Sequence, residues 1–350
     1  MSHPPVVAYG GGVLVDLRSD TVTKPTPEMR RAMAEADVGD DEYAEDPTVN
    51  LLQDTYADLT GKEAALFVPS GTMANQVALR TLTKPGDAVV AGRRQHVVVY
   101  EEGAGPINAG VTFLTVPDDR GVLDVADVER AIESGRHYQP VVTLIAVEDT
   151  HMASGGLVWA AAELAGVAEL AGRHGVGIHM DGARLWNASI ASGRPMKERA
   201  RPATTVMSCL SKGLGAPVGS VLAGPADLIE EARLHRKRLG GTMRQAGVIA
   251  AAGLLAMQTR FERLAEDHQR AHRLAMGVAE RWPDAGLDPD SVSTNIVVFA
   301  PPDADAVLMH LNAEGIRAGT IAPGIVRLVT HADVDDAGIE RARLALASAP

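Results

Sequence analysis

Three short stretches of this chain carry residues suited to chemistry on a carbonyl-bearing, anionic ligand. Lys212 lies in Ser211-Lys212-Gly213-Leu214-Gly215, just after the apolar run 205–210, and its small uncharged neighbours let a flat ligand come close. An amine so placed can form a Schiff base, whereas most lysines are solvated surface charges. Asp181-Gly182-Ala183-Arg184 follows the apolar run 176–180 and puts a carboxylate and a guanidinium at one strand mouth. The same pairing also serves as an ordinary structural ion pair. Pro69-Ser70-Gly71-Thr72 follows the run Ala64–Val68 and opens a helix. It offers free N–H groups, two hydroxyls and a positive helix end to an anion, although Ser and Thr also cap helices that bind nothing. A Schiff-base lysine, an upstream aspartate to hold a protonated pyridine nitrogen and a phosphate-binding helix start are together what a pyridoxal 5'-phosphate (PLP) site requires.

Such residues need a frame that collects strand ends. Between residues 64 and 183 short apolar runs alternate with helical patterns: Ala64–Val68, a helix from Thr72, runs at 88–91 and 111–116, a helix at 125–132 and a run at 141–147. Leu164, Val167, Ala168 and Ala171 then fall at i, i+3, i+4 and i+7, closed by Gly175 and followed by a strand at 176–180. This alternation predicts a parallel α/β sheet, whose ligands sit outside the carboxyl ends of the strands. Further strands are expected at 205–210 and 219–223, and a helix at 227–238 with basic residues in its last turns. From about residue 258 the pattern changes to a charged helix (260–281), a strand (Ile296–Phe299), a helix (303–314) and a strand (325–330), as in a small α+β domain. The predicted division is a large domain over 1–250, whose first fifty residues contribute to the active site, and a small domain over 251–350.

The 350 residues, 46% hydrophobic and 22% charged, suffice for one large core and a smaller one. A net charge of -12 repels a nucleic-acid backbone, so small molecules are the expected ligands. Cys209 is the sole cysteine, which excludes an intrachain disulfide and a Cys-built metal site and fits a reducing cytoplasm. The longest apolar stretch, 246–257, falls short of the roughly 18 residues a membrane span needs and predicts a buried helix. The N-terminal residues have no basic n-region and are not expected to direct secretion.

Three weaker matches carry little. Gly213 to Gly219 has GxGxxxG spacing with Pro217 inside the would-be helix, which does not suit a dinucleotide loop. His174, His179 and Asp181 frame a strand end without HExxH spacing, so no metal is expected. Cys209, inside an apolar run, reads as a small buried hydrophobe rather than a nucleophile.

The blocks resemble, in order, those of the low-specificity L-threonine aldolases, in the β-eliminating lyase group of fold-type-I PLP enzymes. The resemblance runs through Asp16-Leu17-Arg18-Ser19-Asp20-Thr21-Val22-Thr23, Gly39-Asp40-Asp41, Glu45-Asp46-Pro47-Thr48-Val49-Asn50 and Phe67-Val68-Pro69-Ser70-Gly71-Thr72-Met73-Ala74-Asn75. It continues through the Asp181 and Lys212 motifs to Met243-Arg244-Gln245. It implies an aspartate-aminotransferase-like α/β fold with a mostly parallel central sheet and a smaller C-terminal α+β domain. The implied activity is retro-aldol cleavage of L-threonine, L-allo-threonine and related β-hydroxy-α-amino acids to glycine and an aldehyde. By this resemblance PLP forms a covalent aldimine with Lys212, Asp181 holds the pyridine nitrogen, His96 stacks on the ring, and Ser70, Gly71 and Thr72 bind the phosphate. Arg184 would lie beside the ring and hold the substrate carboxylate with Ser19 and Arg327. Tyr100 would lie near the ring, with His137 supplied by a neighbouring subunit. Lys237 and Arg244 would approach a phosphate across the interface of a homo-oligomer, a dimer of dimers. An imidazole titrates near working pH, so His96 and His137 are both candidates for the base that takes the β-hydroxyl proton.

The sequence departs from the family pattern at Asp149 and Met152, where Asn is expected, at Ala44 and Thr242, where Gly is expected, and at Gln95, where Ser is expected. These departures bear on the substrate: a pocket for something larger than threonine, or a different threo/allo preference. Competing readings on the same fold are β-elimination, racemisation and PLP binding without catalysis.

Overall fold

In a computed structural model describing residues 14–134 and 138–350, the strands are β1 Val15–Asp16, β2 Ala64–Val68, β3 Ala88–Gly92, β4 Thr112–Val116, β5 Val142–Glu148 and β6 Gly177–Asp181. They continue with β7 Thr205–Cys209, β8 Ser220–Gly224, β9 Ile296–Phe299, β10 Ile316–Arg317, β11 Gly319–Ala322 and β12 Ile325–Val329. Seven form one sheet in the order β2-β8-β7-β6-β5-β3-β4. Every neighbouring pair from β7 to β4 is parallel, while β8 is antiparallel to both β7 and β2. Two reversals cancel, so β2 runs with β7, and the carboxyl ends of all six strands β2 to β7 share one edge. Strands buried on both faces lose the polar alternation of a half-exposed sheet. β3, β7 and β8 are buried at every residue, which is why they read as continuous apolar runs. The central sheet is thus mostly parallel, as the sequence leads one to expect.

Element bounds agree with the sequence to a residue or two, with one exception. The charged helix expected from residue 260 begins four residues later, at Leu264. The apolar helix Gly247–Thr259 stops at Arg260, and a new helix, Leu264–Arg281, follows a short turn. The compact units also differ from the expected division. The two compact units are Thr23–Glu266 and, among the described residues, 14–22 with Asp267–Pro350. A helix as apolar as Gly247–Thr259 must be covered on most sides, and it packs on the helices Pro27–Ala34 and Pro47–Thr60 within the larger core. The boundary therefore moves from 250 to 266. At the other end β1 pairs in parallel with β10, and Val15 and Leu17 are buried with Val297, Phe299 and Leu328. Residues 14–22 thus belong to the smaller unit, whose other sheet is the antiparallel β11-β12-β9.

Two departures from the family pattern have local explanations. Ala44 takes φ 57°, a left-handed conformation that glycine occupies more easily. Gln95 precedes the short helix His96–Val99 at its N-cap, makes no side-chain cap bond and is buried, where a serine hydroxyl would cap. The half-buried Thr242 has no structural explanation.

Asp149 departs more consequentially. It follows β5, its amide donates to the Asp181 carbonyl at 2.9 Å, and its carboxylate is fully buried against Arg199. Arg199 Nε donates to Asp149 Oδ2 at 3.0 Å, and its Nη2 donates to the same oxygen and, at 3.0 Å, to the Trp159 carbonyl. Trp159 returns Nε1 to the Glu148 carbonyl at 3.0 Å. The pair fastens the segment after β5 beneath the sheet edge. Removing one partner leaves the other charge buried, so Arg199→Met is expected to lower stability by about 3–5 kcal/mol. Arg199→Met with Asp149→Asn should recover a large part of this. Denaturant unfolding checks both, and a loss below about 1 kcal/mol for the single variant would contradict the ion-pair account.

Candidate active site

The shared strand edge holds a cavity of about 250 Å³. Ser70, Gly71 and Thr72 line it at one end, Asp181 and Arg184 follow β6, Lys212 follows β7, and His96 comes from the segment after β3. The sequence therefore placed seven of its candidates on one cavity of the larger unit. Each arrives for a local reason. Ser70 is the N-cap of Gly71–Leu82, its Oγ accepting from the Met73 amide at 3.2 Å, so the helix start faces the cavity. A Cβ on Gly71 would lie 2.8 Å from Cys209 Sγ and 3.0 Å from Met207 Cε; only glycine lets this turn lie so close to β7. Gly219 has φ +110°, and its Cβ would sit 2.5 Å from the Phe67 ring, which fixes the return from the lysine loop into β8. The Lys212 carbonyl accepts from Thr23 Oγ1 at 3.1 Å and from the Gly215 amide at 2.8 Å. Part of the N-terminal fifty residues thereby supports the lysine loop.

Asp181 forms the floor. Burial alone would raise its carboxyl, but the charges of His96 and Lys212 and hydrogen bonds from Asn75 and the Ala183 amide outweigh burial and hold it below the usual carboxylate range. Asn75 Nδ2 donates to Asp181 Oδ2 at 2.7 Å, and the Ala183 amide donates to Oδ1 at 3.0 Å. His96 Nδ1 lies 2.9 Å from Glu101 Oε1, and its amide donates to Glu148 Oε2 at 2.6 Å. Burial lowers the His96 value, yet Glu101 and Asp181 more than reverse this and leave it raised. The Tyr100 and His96 ring centroids are 5.6 Å apart at 34°.

Several residues of this site escaped sequence reasoning. Glu101 sits in Tyr100-Glu101-Glu102, which reads as a solvated acidic turn, yet it is buried while Glu102 is exposed. Asn75 and Gln76 look like polar positions of an amphipathic helix, but both are buried and donate to Glu101, at 2.8 and 2.6 Å. Glu148 accepts the amides of His96 and, at 2.8 Å, Met152. Burial pushes its carboxyl up and Asp181 adds to this, against the pull of His151 and those amides. Thr150 and Met152 line the cavity on a segment fastened by His151, which contacts Ser154 Oγ at 3.0 Å and Asp118 at 3.2 Å. Thus Met152 lines the cavity, while Asp149 faces Arg199.

Other candidates lie elsewhere. Lys237 pairs with Glu42, and Arg244 with Asp40 at 3.3 Å and Glu42 at 2.9 Å; both basic side chains are about 60% exposed and neither lines the cavity. Ser19 and Arg327 belong to the smaller unit. There Ser19 Oγ accepts from the Thr21 amide and hydroxyl at 3.2 and 2.9 Å, and Arg327 Nη2 donates to the Arg18 carbonyl at 3.0 Å. His137 lies outside the described residues. His179 is buried, with ring nitrogens 3.0 Å from Asn75 Oδ1 and 2.9 Å from Thr205 Oγ1, while His174 lies near Glu129 instead. Cys209 is free and buried, and it borders the cavity beside Gly71.

The match to the family model described as beta-eliminating lyase covers residues 16–301. The chain belongs to the β-eliminating lyase family. Within it, this lyase is 42% identical to low-specificity L-threonine aldolase 1 of Arabidopsis thaliana, over 91% of each chain. It is 39% identical to the low specificity L-threonine aldolase of Escherichia coli K12, over 92% of this chain and 95% of that one. A solved structure of Leishmania major threonine aldolase superposes with a TM-score of 0.84 at 22% identity, covering 95% of this lyase and 98% of that chain. That likeness supports the fold, which is the fold-type-I arrangement expected from the sequence.

The donor set suits PLP: an amine after one strand, an anionic carboxylate on the floor, a helix start with its N–H groups at one end and an imidazole above. A folded-state value lowered for Asp181 means its contribution to stability is present above the unfolded value of about 3.9 and is lost as pH falls through the folded value. Asp181→Asn should therefore flatten the acid side of the Tm-against-pH profile below about pH 4. Calorimetry of the two proteins tests this; parallel acid limbs would contradict the assignment.

Proposed function

We propose that this lyase uses PLP to cleave L-threonine, L-allo-threonine and related β-hydroxy-α-amino acids into glycine and an aldehyde. The observation that carries the reading is the meeting of Lys212, Asp181, His96 and the Gly71–Leu82 helix start on one cavity. When bound, PLP supplies a carbonyl that condenses with amines and a conjugated ring that accepts the electrons of the broken Cα–Cβ bond. The chain's own groups set the conditions. Lys212 offers the amine that would hold the cofactor. Asp181, kept anionic, holds a proton on the pyridine nitrogen. The N–H groups at the helix start, with Ser70 and Thr72, take the phosphate. His96 lines the cavity where it would stack on the ring, and its imidazole or a water beside it would take the β-hydroxyl proton; His137 is the other candidate from sequence.

Which bond breaks would depend on how the substrate is oriented, and a bidentate guanidinium holding its carboxylate would fix that orientation. Arg184 borders the cavity and suits this task. The same task is proposed for Ser19 and Arg327 from the sequence resemblance alone, and a place near the ring for Tyr100. Met152 at the cavity wall favours an apolar substituent at Cβ, beyond the methyl of threonine. A homo-oligomer, a dimer of dimers, is proposed as the working form. Lys237 and Arg244, exposed at the acidic cluster of Asp40 and Glu42, would turn toward a neighbouring subunit's phosphate. No helix among the described residues is long and apolar enough to cross a membrane, and the cytoplasm is the proposed setting.

Purified protein loaded with PLP should absorb in the visible range and release aldehyde and glycine from L-threonine or L-allo-threonine. Lys212→Ala should lose both the band and turnover, by at least about a thousandfold. Pyruvate with ammonia, or the mirror-image amino acid, in place of aldehyde would redirect the reading to elimination or racemisation. Unchanged activity of Lys212→Ala would overturn the assignment of the amine.

A further inference from the structure

One polar network beneath the cavity has no role in the reading above. Asn75 reaches two carboxylates with a single amide nitrogen: Nδ2 is 2.7 Å from Asp181 Oδ2 and 2.8 Å from Glu101 Oε1. Carboxylates only accept, so the amide NH2 must face them and Oδ1 must face His179 Nε2, 3.0 Å away. His179 then carries its proton on Nε2. Burial pushes its titration down to about 4, against the pull of Asp181, so it remains a neutral donor at working pH. Glu101 accepts also from Gln76 Nε2 at 2.6 Å and from His96 Nδ1 at 2.9 Å. One ring nitrogen of His96 and one oxygen each of Glu101 and Asp181 lie within 4.8 Å of one another. Two carboxylates that close repel unless donors stand between them.

We propose that Asn75 is the neutral bridge that lets Asp181 and Glu101 share one buried floor, which makes Asn75 and Glu101 positioning residues for the cofactor ring and for His96. Asp181 serves the ring nitrogen, and Glu101 holds the imidazole above it by the proton on Nδ1. Asn75 couples them: without its two N–H bonds the carboxylates compete for a proton, and both the ring nitrogen and His96 lose part of their counter-charge. The groups facing His96 are Glu101, Asp181, Lys212, Tyr100 and, at its amide, Glu148. Among them it is Glu101 that takes the hydrogen bond of ring nitrogen Nδ1. The role in catalysis rests on the proposed function, but the network itself does not.

The test is the titration of the His96 ring by NMR in the full-length protein, before and after PLP loading, together with PLP affinity by fluorescence. Asn75→Leu keeps the approximate volume and removes the donors. Its His96 midpoint is expected to fall by roughly one pH unit, and its PLP affinity by about tenfold. Glu101→Gln, which keeps the shape of the acid, should lower the same midpoint by a similar amount, and the double variant should fall little further than either single one. Coupling of that kind distinguishes a positioning role from a general loss of stability, which would move Tm alone. An unchanged His96 midpoint in either variant would overturn the proposal, and Glu101→Gln decides the matter if Asn75→Leu does not fold. Failure to form aldehyde from any β-hydroxy-α-amino acid would overturn the functional reading instead and leave the His96 titration to stand or fall by itself.

Discussion

A carboxylate kept ionised inside a pocket floor is unstable by several kcal/mol unless donors and opposite charges surround it. Asp181 is in that position, and much of the larger unit can be read as the arrangement that sustains it. Asn75 and the Ala183 amide donate to its two oxygens, while Lys212 and His96 supply positive charge across the cavity. These groups come from separate stretches of the chain, so the charge holds only when the sheet edge is assembled. Conversely, a fixed anion at that place is what keeps a pyridine nitrogen protonated, which is the condition for the ring to accept electrons.

The sheet topology makes this assembly possible. Six strands, β2 to β7, end on one edge, β2 among them because β8 runs against both of its neighbours, which brings β2 and its helix start into the same direction as β7 and the lysine. The phosphate end, the floor and the amine are thereby distributed over β2, β6 and β7, far apart in sequence and gathered in space. Close packing then sets the fine positions. Gly71 against Cys209 and Gly219 against Phe67 are approaches that no Cβ would allow. The Asp149–Arg199 pair shows the same economy: where the family pattern leads one to expect a neutral Asn, this chain carries a buried charge, and a guanidinium from another helix answers it.

Much of the frame was legible in the sequence because doubly covered strands are apolar nearly throughout and the amphipathic helix before β6 ends on Gly175. β3, β5, β6 and β7 could be located within a residue or two, and with them the residues at their ends. The boundary between the units was not legible, since it depends on tertiary pairing. Nothing in Val15-Asp16 announces a partner at Ile316-Arg317. The apolar helix and the charged one after it could both be told apart, but not the turn between them, because Arg260 to Arg263 continue a helical composition. In the site, Lys212, Asp181 and Ser70 were visible because strand ends are where ligands bind. Asn75 and Glu101 were not, because a buried polar residue on a helix or after a short helix has the composition of a surface position. Their burial follows from what packs over them.

The central claim is that Lys212 is the amine that holds the cofactor at the sheet edge. The direct measurement is borohydride reduction of the PLP-loaded protein, followed by proteolysis and mass mapping of the pyridoxyl group. The account expects the added mass on the peptide containing Lys212 and on no other. Stoichiometric labelling of a different lysine, such as Lys62 or Lys237, with Lys212 unmodified would contradict it.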